Sequence, residues 1–254
     1  MSSNKFKILL LLLLFACSKS KDRESTLIFC SNLSYPPYES VAQDGRPEGF
    51  DIDVANALAQ RLQKKLLFKE LAFDSLILGL QQGKCDFVMA GMSMTPSRQK
   101  EITMIPYQGQ PSKAYYLLFW DHIPAGVKSL ADIRTLANNT VAVQVGTWME
   151  NYVQASPGIT SKALDTTSEL LMDIQYRKSS TAFLEPHIGR EVLAKEPRLK
   201  YLEVALPEAE WRLGNGIGIK KSNVKLASEI QSAVDSLKKS GELTEMERKW
   251  FRTP

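Results

Sequence analysis

Short apolar runs in this chain alternate with segments whose apolar residues recur every three or four positions. Between residues 26 and 90 the pattern predicts alternating strands and helices at 26–32, 51–63, 65–71, 74–82 and 86–90. A further helix is predicted from Pro96, because Thr95 suits an N-cap and proline suits the first helical position. Each helix joins two strands, so we predict parallel pairing in a helix-covered α/β sheet.

The alternation restarts after the segment 107–111, which is rich in glycine, proline and glutamine. Further strands and helices are predicted at 115–120, 129–136, 140–145, 166–177, 180–184, 214–220, 226–239 and 243–250. The pattern breaks again near 205–213, which predicts a second crossing of the chain. We therefore expect a first lobe formed by 26–108 and 206–254, a second lobe formed by 109–205, and a hinge of two crossovers that can close over a ligand.

The N-terminus has the features of a secretory signal. Lys5 and Lys7 precede nine apolar residues, which are too few to cross a bilayer. Residues 14–17, Leu-Phe-Ala-Cys, resemble a bacterial lipobox, which predicts a signal peptide at 1–16, lipidation of Cys17 and a polar tether at 17–25. A plain cleaved signal with an incidental cysteine is the alternative. The lipobox reading predicts an envelope or periplasmic protein that is held to a membrane only by its acyl chains.

Composition excludes several other classes of function. The formal charge of the 254 residues is +4 and no block of five like charges occurs, so no nucleic-acid surface is predicted. Cys30 and Cys85 are expected to be buried small hydrophobic residues, although a disulfide is conceivable in an exported protein. The chain contains no Cys-x-x-Cys, and its two histidines, His122 and His187, are far apart in sequence. We expect no metal and no cofactor.

Residues 90–98, Ala-Gly-Met-Ser-Met-Thr-Pro-Ser-Arg, carry the clearest candidate chemistry. They leave the predicted strand at 86–90 and enter the helix that begins at Pro96. This turn gathers backbone N–H groups, the Ser93 hydroxyl and the Arg98 guanidinium near one point, and the arginine fork matches a carboxylate. An ordinary strand-to-helix turn with a solvated arginine is the alternative.

Seven segments in order along the chain carry a resemblance to a known family. They are Ser-Tyr-Pro-Pro-Tyr-Glu at 34–39, Gly-Phe-Asp-Ile-Asp at 49–53, Phe-Asp-Ser-Leu at 73–76, Gly-Lys-Cys-Asp at 83–86, Gly-Met-Ser-Met-Thr at 91–95 with Arg98, Val-Gly-Thr at 145–147 and Gly-Asn-Gly-Ile-Gly at 214–218. Together they resemble the periplasmic amino-acid-binding proteins of ABC importers. The resemblance implies the type II periplasmic-binding-protein fold, in which each of two lobes is a mostly parallel sheet flanked by helices. It also implies a monomer that delivers a free amino acid to a membrane permease.

The resemblance further implies how the ends of the amino acid are bound. Arg98 would bind the α-carboxylate, helped by backbone N–H groups of Ser93 and Thr147. Glu185 would bind the α-ammonium, helped by the Ser93 hydroxyl and the Gly91 carbonyl. Met92, between these two residues, is included in the expected site.

Side-chain specificity is expected to depend on further positions. Tyr35 and Phe73 match the aromatic pair that sandwiches the ligand side chain in the family. Some binders of basic amino acids carry aspartate where this chain has Asn32, so Glu39 is a candidate for the missing negative charge if it turns inward. A solvated turn carboxylate is the alternative for Glu39. Two further residues are expected on the second-lobe side of the site, Gln144 and Trp148.

Aromatic faces around a flat guanidinium favour arginine, and another polar amino acid such as glutamine is the alternative ligand. An enzyme of the cyclohexadienyl or arogenate dehydratase type is the alternative function, with Glu185 as general acid. Against catalysis, Arg98 and Glu185 form a paired site for a zwitterion, and we predict no second acid–base residue beside them. A receptor sensor domain is a third alternative. The Gly-Asn-Gly-Ile-Gly run lacks the pattern of a phosphate-binding loop.

Overall fold

The computed structural model of the protein describes residues 25–109, 113–211 and 214–251. The predicted signal peptide, Cys17 and all of the tether except residue 25 lie outside these residues. The strands are β1 Thr26–Ser31, β2 Ser40–Val41, β3 Pro47–Glu48, β4 Lys65–Glu70, β5 Phe87–Val88, β6 Ile102–Gln108, β7 Ala114–Trp120, β8 Thr140–Gln144, β9 Thr160–Leu164, β10 Thr181–Leu184, β11 Leu199–Ala205 and β12 Asn215–Lys220. The α-helices are α1 Phe50–Arg61, α2 Leu76–Gln81, α3 Pro96–Glu101, α4 Trp148–Gln154, α5 Thr167–Gln175, α6 Pro186–Lys195, α7 Val224–Ser240 and α8 Glu242–Trp250.

Two five-stranded sheets organise the chain. The first has the order β4-β1-β5-β12-β6, and the second has the order β11-β7-β10-β8-β9. We call each sheet with its helices a lobe. The second sheet draws its strands from one continuous part of the chain, whereas the first also takes β12 after the chain has returned. The fold is therefore α/β and two-lobed, as the sequence predicts.

Parallel pairing holds where a helix connects neighbouring strands. Strand β1 pairs in parallel with β4 and β5, and β8 pairs in parallel with β9 and β10. The strands next to the crossovers pair differently, since β12 is antiparallel to β5 and β6, and β7 is antiparallel to β10 and β11. These strands enter their sheets from the opposite direction, because they come from the other lobe or lead to it.

The two crossovers lie side by side. A Cβ on Gly214 would lie 2.5 Å from the carbonyl oxygen of Gln108, and a Cβ on Gly109 would lie 3.1 Å from the Cα of Gly214. Both glycines have positive φ, +103° at Gly109 and +86° at Gly214. Only glycine allows two backbones to approach this closely in that conformation. The side-chain amide of Asn215 donates to Gln108 Oε1 at 3.0 Å and thereby joins the two connections.

Several elements of the structure are not among those that the sequence predicted. Strands β6, β9 and β11, helices α4 and α6 and the β2–β3 ribbon were all missed, and the predicted helix at 129–136 is a 3₁₀ helix over Leu130–Thr135. Strand β6 begins directly where α3 ends, so no turn residue marks the boundary. Among the described residues, no helix has the length and apolar character that crossing a membrane requires.

Cys30 and Cys85 are buried as expected, but they are not free thiols, because they form the disulfide that the sequence left open. Cys30 lies in β1 and Cys85 lies just before β5, and pairing of these neighbouring strands brings their Cα atoms to 5.8 Å. That separation lies within the usual range for a disulfide. The bond spans 55 positions in the sequence, and a loop of that size contributes on the order of 4 kcal/mol to the free energy of unfolding in the chain-entropy model.

Candidate functional site

A small cavity lies between the two lobes. The first lobe lines it with Tyr35, Phe73, Ala90, Gly91, Ser93 and Arg98, and the second lobe lines it with Tyr115, Gln144, Thr147, Trp148, Met149 and Glu185. Nine of these twelve residues were predicted from the sequence. The structure therefore brings most of the expected site residues together, although they come from positions up to 150 residues apart.

Arg98 is the cation of the cavity. Thr95 caps helix α3 as expected, because its hydroxyl accepts a hydrogen bond from the Arg98 backbone N–H at 3.2 Å. The Arg98 guanidinium is buried and donates from Nη1 to the Ser93 carbonyl at 2.7 Å and from Nη2 to the Gly146 carbonyl at 3.2 Å. A guanidinium has five N–H donors, so these two bonds orient the group and leave capacity for an anion. Burial lowers the Arg98 pKa to about 10, which leaves the side chain charged at neutral pH.

Glu185 is the anion of the cavity. It directly follows strand β10, and only 5% of its surface is exposed. Its Oε2 accepts a hydrogen bond from the Tyr35 hydroxyl, and its Oε1 accepts from the Ser93 hydroxyl at 3.3 Å and from the Tyr115 hydroxyl at 3.4 Å. Burial raises the pKa of Glu185, while these hydrogen bonds and the charge of Arg98 oppose that increase.

Hydrogen bonds of the two charged groups connect the lobes directly. Tyr35 and Ser93 of the first lobe donate to Glu185 of the second, and Arg98 of the first lobe donates to the Gly146 carbonyl of the second. The structure is therefore a closed arrangement, in which a cationic side chain from one lobe and an anionic side chain from the other lie at one cavity. A ligand that carries both charges interacts with both lobes only in this arrangement.

Aromatic rings cover much of the remaining cavity wall. The Phe73 ring centroid lies 5.2 Å from the guanidinium carbon of Arg98, within cation–π distance. Trp148 packs on Tyr115 with ring centroids 5.1 Å apart, and the Trp148 indole N–H donates to Glu210 Oε2 at 3.2 Å. Because Glu210 belongs to the returning crossover, this hydrogen bond ties the cavity wall to the hinge. The Gln144 amide donates to the Asp165 carbonyl at 3.1 Å, which holds that side chain at the cavity.

Three of the expected site residues do not line the cavity. The Asn32 carbonyl oxygen accepts a hydrogen bond from the Ser34 hydroxyl. The Met92 side chain packs in a hydrophobic cluster with Leu76 and Leu80. Glu39 is buried, but it lies near Asp51 and not at the cavity. The sequence did not reveal these orientations, because the direction of a side chain in a turn depends on what packs around it.

Glu39 therefore has an environment unlike either sequence interpretation. It is fully buried, and its carboxyl group shares a side-chain hydrogen bond with that of Asp51. Burial, followed by the charge of Asp51, raises the Glu39 pKa well above its usual range. Asp51 accepts hydrogen bonds from the Tyr107 hydroxyl at 2.6 Å and the Gly91 N–H at 2.9 Å, and burial raises its pKa to about 6.

We expect Glu39→Gln to flatten the pH dependence of stability. Native Glu39 keeps its proton to a higher pH than unfolded Glu39, so the free energy of unfolding falls as pH rises above the ordinary glutamate pKa, by at most about 1.4 kcal/mol per pH unit. Asp51 adds a change of the same sign up to about pH 6. Urea unfolding at pH 5, 6, 7 and 8 should give a smaller decrease for the variant than for the wild type. An equal decrease in the free energy of unfolding with pH in the variant and the wild type would contradict this account of Glu39.

Two polar residues that the sequence interpretation missed lie at the site. Tyr115 lines the cavity and donates to Glu185, but within an apolar strand it carries no signal that distinguishes it from core. His187 has its Nε2 3.6 Å from Glu185 Oε2. The prediction that no second acid–base residue lies beside Arg98 and Glu185 was therefore wrong. The sequence did contain a signal, because His187 follows Glu185 by only two positions. Ala90 and Met149 are the remaining lining residues that were not predicted.

A closed two-lobed α/β fold with one buried cation and one buried anion at the interlobe cavity defines a small-molecule binding protein. Residues 27–253 match the family of bacterial extracellular solute-binding proteins, family 3, and the chain belongs to that family. It is 41% identical over 220 residues to a probable ABC transporter arginine-binding protein of Chlamydia trachomatis, which covers 87% of this chain and 83% of the relative.

Solved structures show the same fold. A Salmonella typhimurium periplasmic binding protein, described as having high arginine specificity, is 31% identical with a TM-score of 0.78, covering 89% of this chain and 99% of that one. An ancestral amino-acid-binding protein, described as a precursor of cyclohexadienyl dehydratase, is 26% identical with a TM-score of 0.79 and covers 90% and 96% of the two chains. The chain is thus similar to binding proteins and to an ancestor of an enzyme.

Proposed function

We propose that this protein captures free L-arginine between its lobes and delivers it to the permease of an ABC importer. The observation that carries the proposal is the pairing of Arg98 and Glu185 at one cavity from opposite lobes. Arg98 binds the α-carboxylate and Glu185 binds the α-ammonium. The twenty common amino acids share both groups, so this pairing accounts for the class of ligand and the rest of the cavity accounts for the choice among them.

Closure gives this recognition its strength. Arg98 and Glu185 are both buried, and a buried charge without a counter-charge is costly, so a ligand that lacks either end group is rejected. Charge-assisted hydrogen bonds contribute roughly 1.5–3 kcal/mol each. Two or three of them supply roughly 3–9 kcal/mol, and the upper end of that range corresponds to a dissociation constant in the micromolar range.

The aromatic rings of the cavity wall support arginine as the ligand. Glu185 is the one carboxylate among the described lining residues, and its role is to bind the α-ammonium. The guanidinium would instead lie against the rings of Tyr35, Phe73 and Trp148, where cation–π contact favours a flat cation. The arginine-binding relatives support the same choice.

The cellular setting belongs to the same proposal. The lipidated Cys17 and the tether at 17–25 hold a monomer at a membrane, outside the cytoplasm. The lobes are 26–108 with 206–254, and 109–205. A permease that recognises the closed pair of lobes would distinguish loaded from empty protein.

Binding rather than catalysis is proposed for the cavity. The dehydratase precursor among similar structures gives the enzyme alternative a specific basis. Catalysis would need Glu185 to act as an acid, with a further proton-transfer group at the substrate. His187 does not line the cavity, and burial lowers its pKa to about 3, so it is neutral at physiological pH.

A thermal-shift screen of the twenty amino acids, followed by calorimetry on those that stabilise, tests the proposal. A ligand present at 100 times its dissociation constant should raise the melting temperature by about 5–10 °C. We expect the largest shift with L-arginine and none with agmatine, which lacks the carboxylate. Incubation with arogenate and prephenate should yield no aromatic product. Absence of a shift with every amino acid, or product formation, would overturn the proposal.

A further inference from the structure

The imidazole of His187 contacts the first lobe although helix α6 belongs to the second. Its ring meets Tyr38 at 4.9 Å, Phe251 at 5.9 Å and Tyr35 at 6.4 Å between centroids, each in an edge-to-face arrangement. Edge-to-face packing at these distances is the favoured geometry for aromatic rings. His187 thus makes an interlobe contact beside the cavity, two residues from Glu185.

The surface that receives the imidazole is built by the first lobe alone. Tyr38 packs on Phe251 at 4.9 Å, and Phe50 packs on Phe251 at 5.1 Å. The Tyr38 hydroxyl donates a hydrogen bond to Gln108 Oε1 at 2.8 Å and accepts one from the Asn215 side-chain amide at 2.8 Å. All of these contacts are made without the second lobe, so the packing of this aromatic surface does not depend on His187.

This environment favours a neutral imidazole. The Nε2 atom is buried, has no hydrogen-bond partner within the described residues and lies 3.6 Å from Glu185 Oε2. The charged or titratable groups facing it are Glu185, Arg190, Tyr35 and Tyr38. Burial and then the charge of Arg190 lower the His187 pKa to about 3. Glu185 favours the imidazolium, but a bound ligand ammonium would neutralise that carboxylate.

We propose that His187 is a positioning residue that docks, as a neutral ring, on the Tyr38–Phe251 surface and thereby sets the balance between open and closed lobes. This inference rests on the proposed function, since closure is read out through amino-acid binding. When opening of the lobes exposes the ring to water, we expect its pKa to return to the ordinary value of about 6.5. Closing the lobes on the ligand therefore requires a deprotonated His187.

Acidification should consequently weaken arginine binding through this residue. With an open-form pKa of about 6.5 and a much lower closed-form value, affinity is expected to be about tenfold lower at pH 5.5 than at pH 7.5. Asp51, whose pKa burial raises to about 6, also titrates in this range, so the wild-type pH profile alone does not isolate the histidine. A variant that keeps the aromatic ring but lacks the titratable nitrogen does isolate the effect of the histidine.

The test compares wild type, His187→Phe and His187→Ala by calorimetry with L-arginine at pH 7.5 and 5.5. The phenylalanine variant keeps an aromatic ring without a titratable nitrogen, so we expect near-native affinity at pH 7.5 and no His-dependent loss at pH 5.5. The alanine variant loses the docking ring, and its affinity at pH 7.5 should fall about tenfold. Small-angle scattering should show the arginine-loaded alanine variant as less fully closed than the loaded wild type at equal ligand concentration.

The outcomes separate this inference from the proposed function. If wild type binds no amino acid, the proposed function fails. If wild type binds arginine and His187→Phe loses affinity on acidification as much as wild type, the role of His187 is overturned. Unchanged affinity in His187→Ala would also overturn it. A melting curve without ligand establishes whether each variant is folded. If the alanine variant does not fold, the phenylalanine variant still decides the test.

Discussion

Replacing Arg98 by alanine is expected to weaken L-arginine binding by at least about thirtyfold. Truncating one partner of a buried charge pair typically costs 2–5 kcal/mol or more. The ligand carboxylate would enter a closed cavity without the fork that matches it, and the Ser93 and Gly146 carbonyls would lose their donor. Titration calorimetry measures the effect directly.

Two further variants control this prediction. Lys100→Ala removes a positive charge from the same helix, but Lys100 is exposed, so its affinity should match the wild type. Arg98→Lys keeps the charge and loses the planar fork, so it should bind more weakly than wild type and more tightly than Arg98→Ala. Native-like affinity in a folded Arg98→Ala would remove the residue from the site.

Glu185→Gln should weaken binding by about 3–5 kcal/mol in free energy, as expected when a buried charge loses its partner. Glutamine has nearly the same shape and its carbonyl oxygen accepts one of the hydrogen bonds that Tyr35 and Ser93 now donate. The ligand ammonium, however, would be buried without a counter-charge. An unchanged dissociation constant by calorimetry would exclude Glu185 as the ammonium site.

Stability without ligand distinguishes a lost binding group from a damaged fold. Burial raises the pKa of Glu185, so the native state favours its neutral form more than the unfolded state does. A neutral glutamine should therefore leave the unliganded melting temperature unchanged or slightly higher at pH 7.5. Glu203→Gln, an exposed change of the same charge on β11, should affect neither binding nor melting. A large decrease in the melting temperature of unliganded Glu185→Gln would contradict this interpretation.

Local sequence was sufficient for most of the first lobe and for the central pair of charges. The predicted strand at 26–32 and helix at 51–63 correspond to β1 and α1 within two residues at each end, because burial periodicity is a local signal. Arg98 was recognised from a cap, a proline and a turn that are contiguous in sequence. Glu185 was assigned only through the family resemblance, since a single carboxylate after a strand has no local pattern.

The sequence by itself determined that this chain is an α/β protein of two lobes with charged groups suited to a zwitterion. Only the tertiary structure decided that β7 and β12 each pair antiparallel with the neighbouring strands of their own sheet. It also decided the Cys30–Cys85 disulfide, the burial of Glu39 near Asp51 and the docking of His187 on the first lobe. Periodicity, caps and turns arise from neighbours along the chain, so they are readable from it. These other features depend on groups that are distant in sequence, and their positions are set when the sheets assemble and the lobes close.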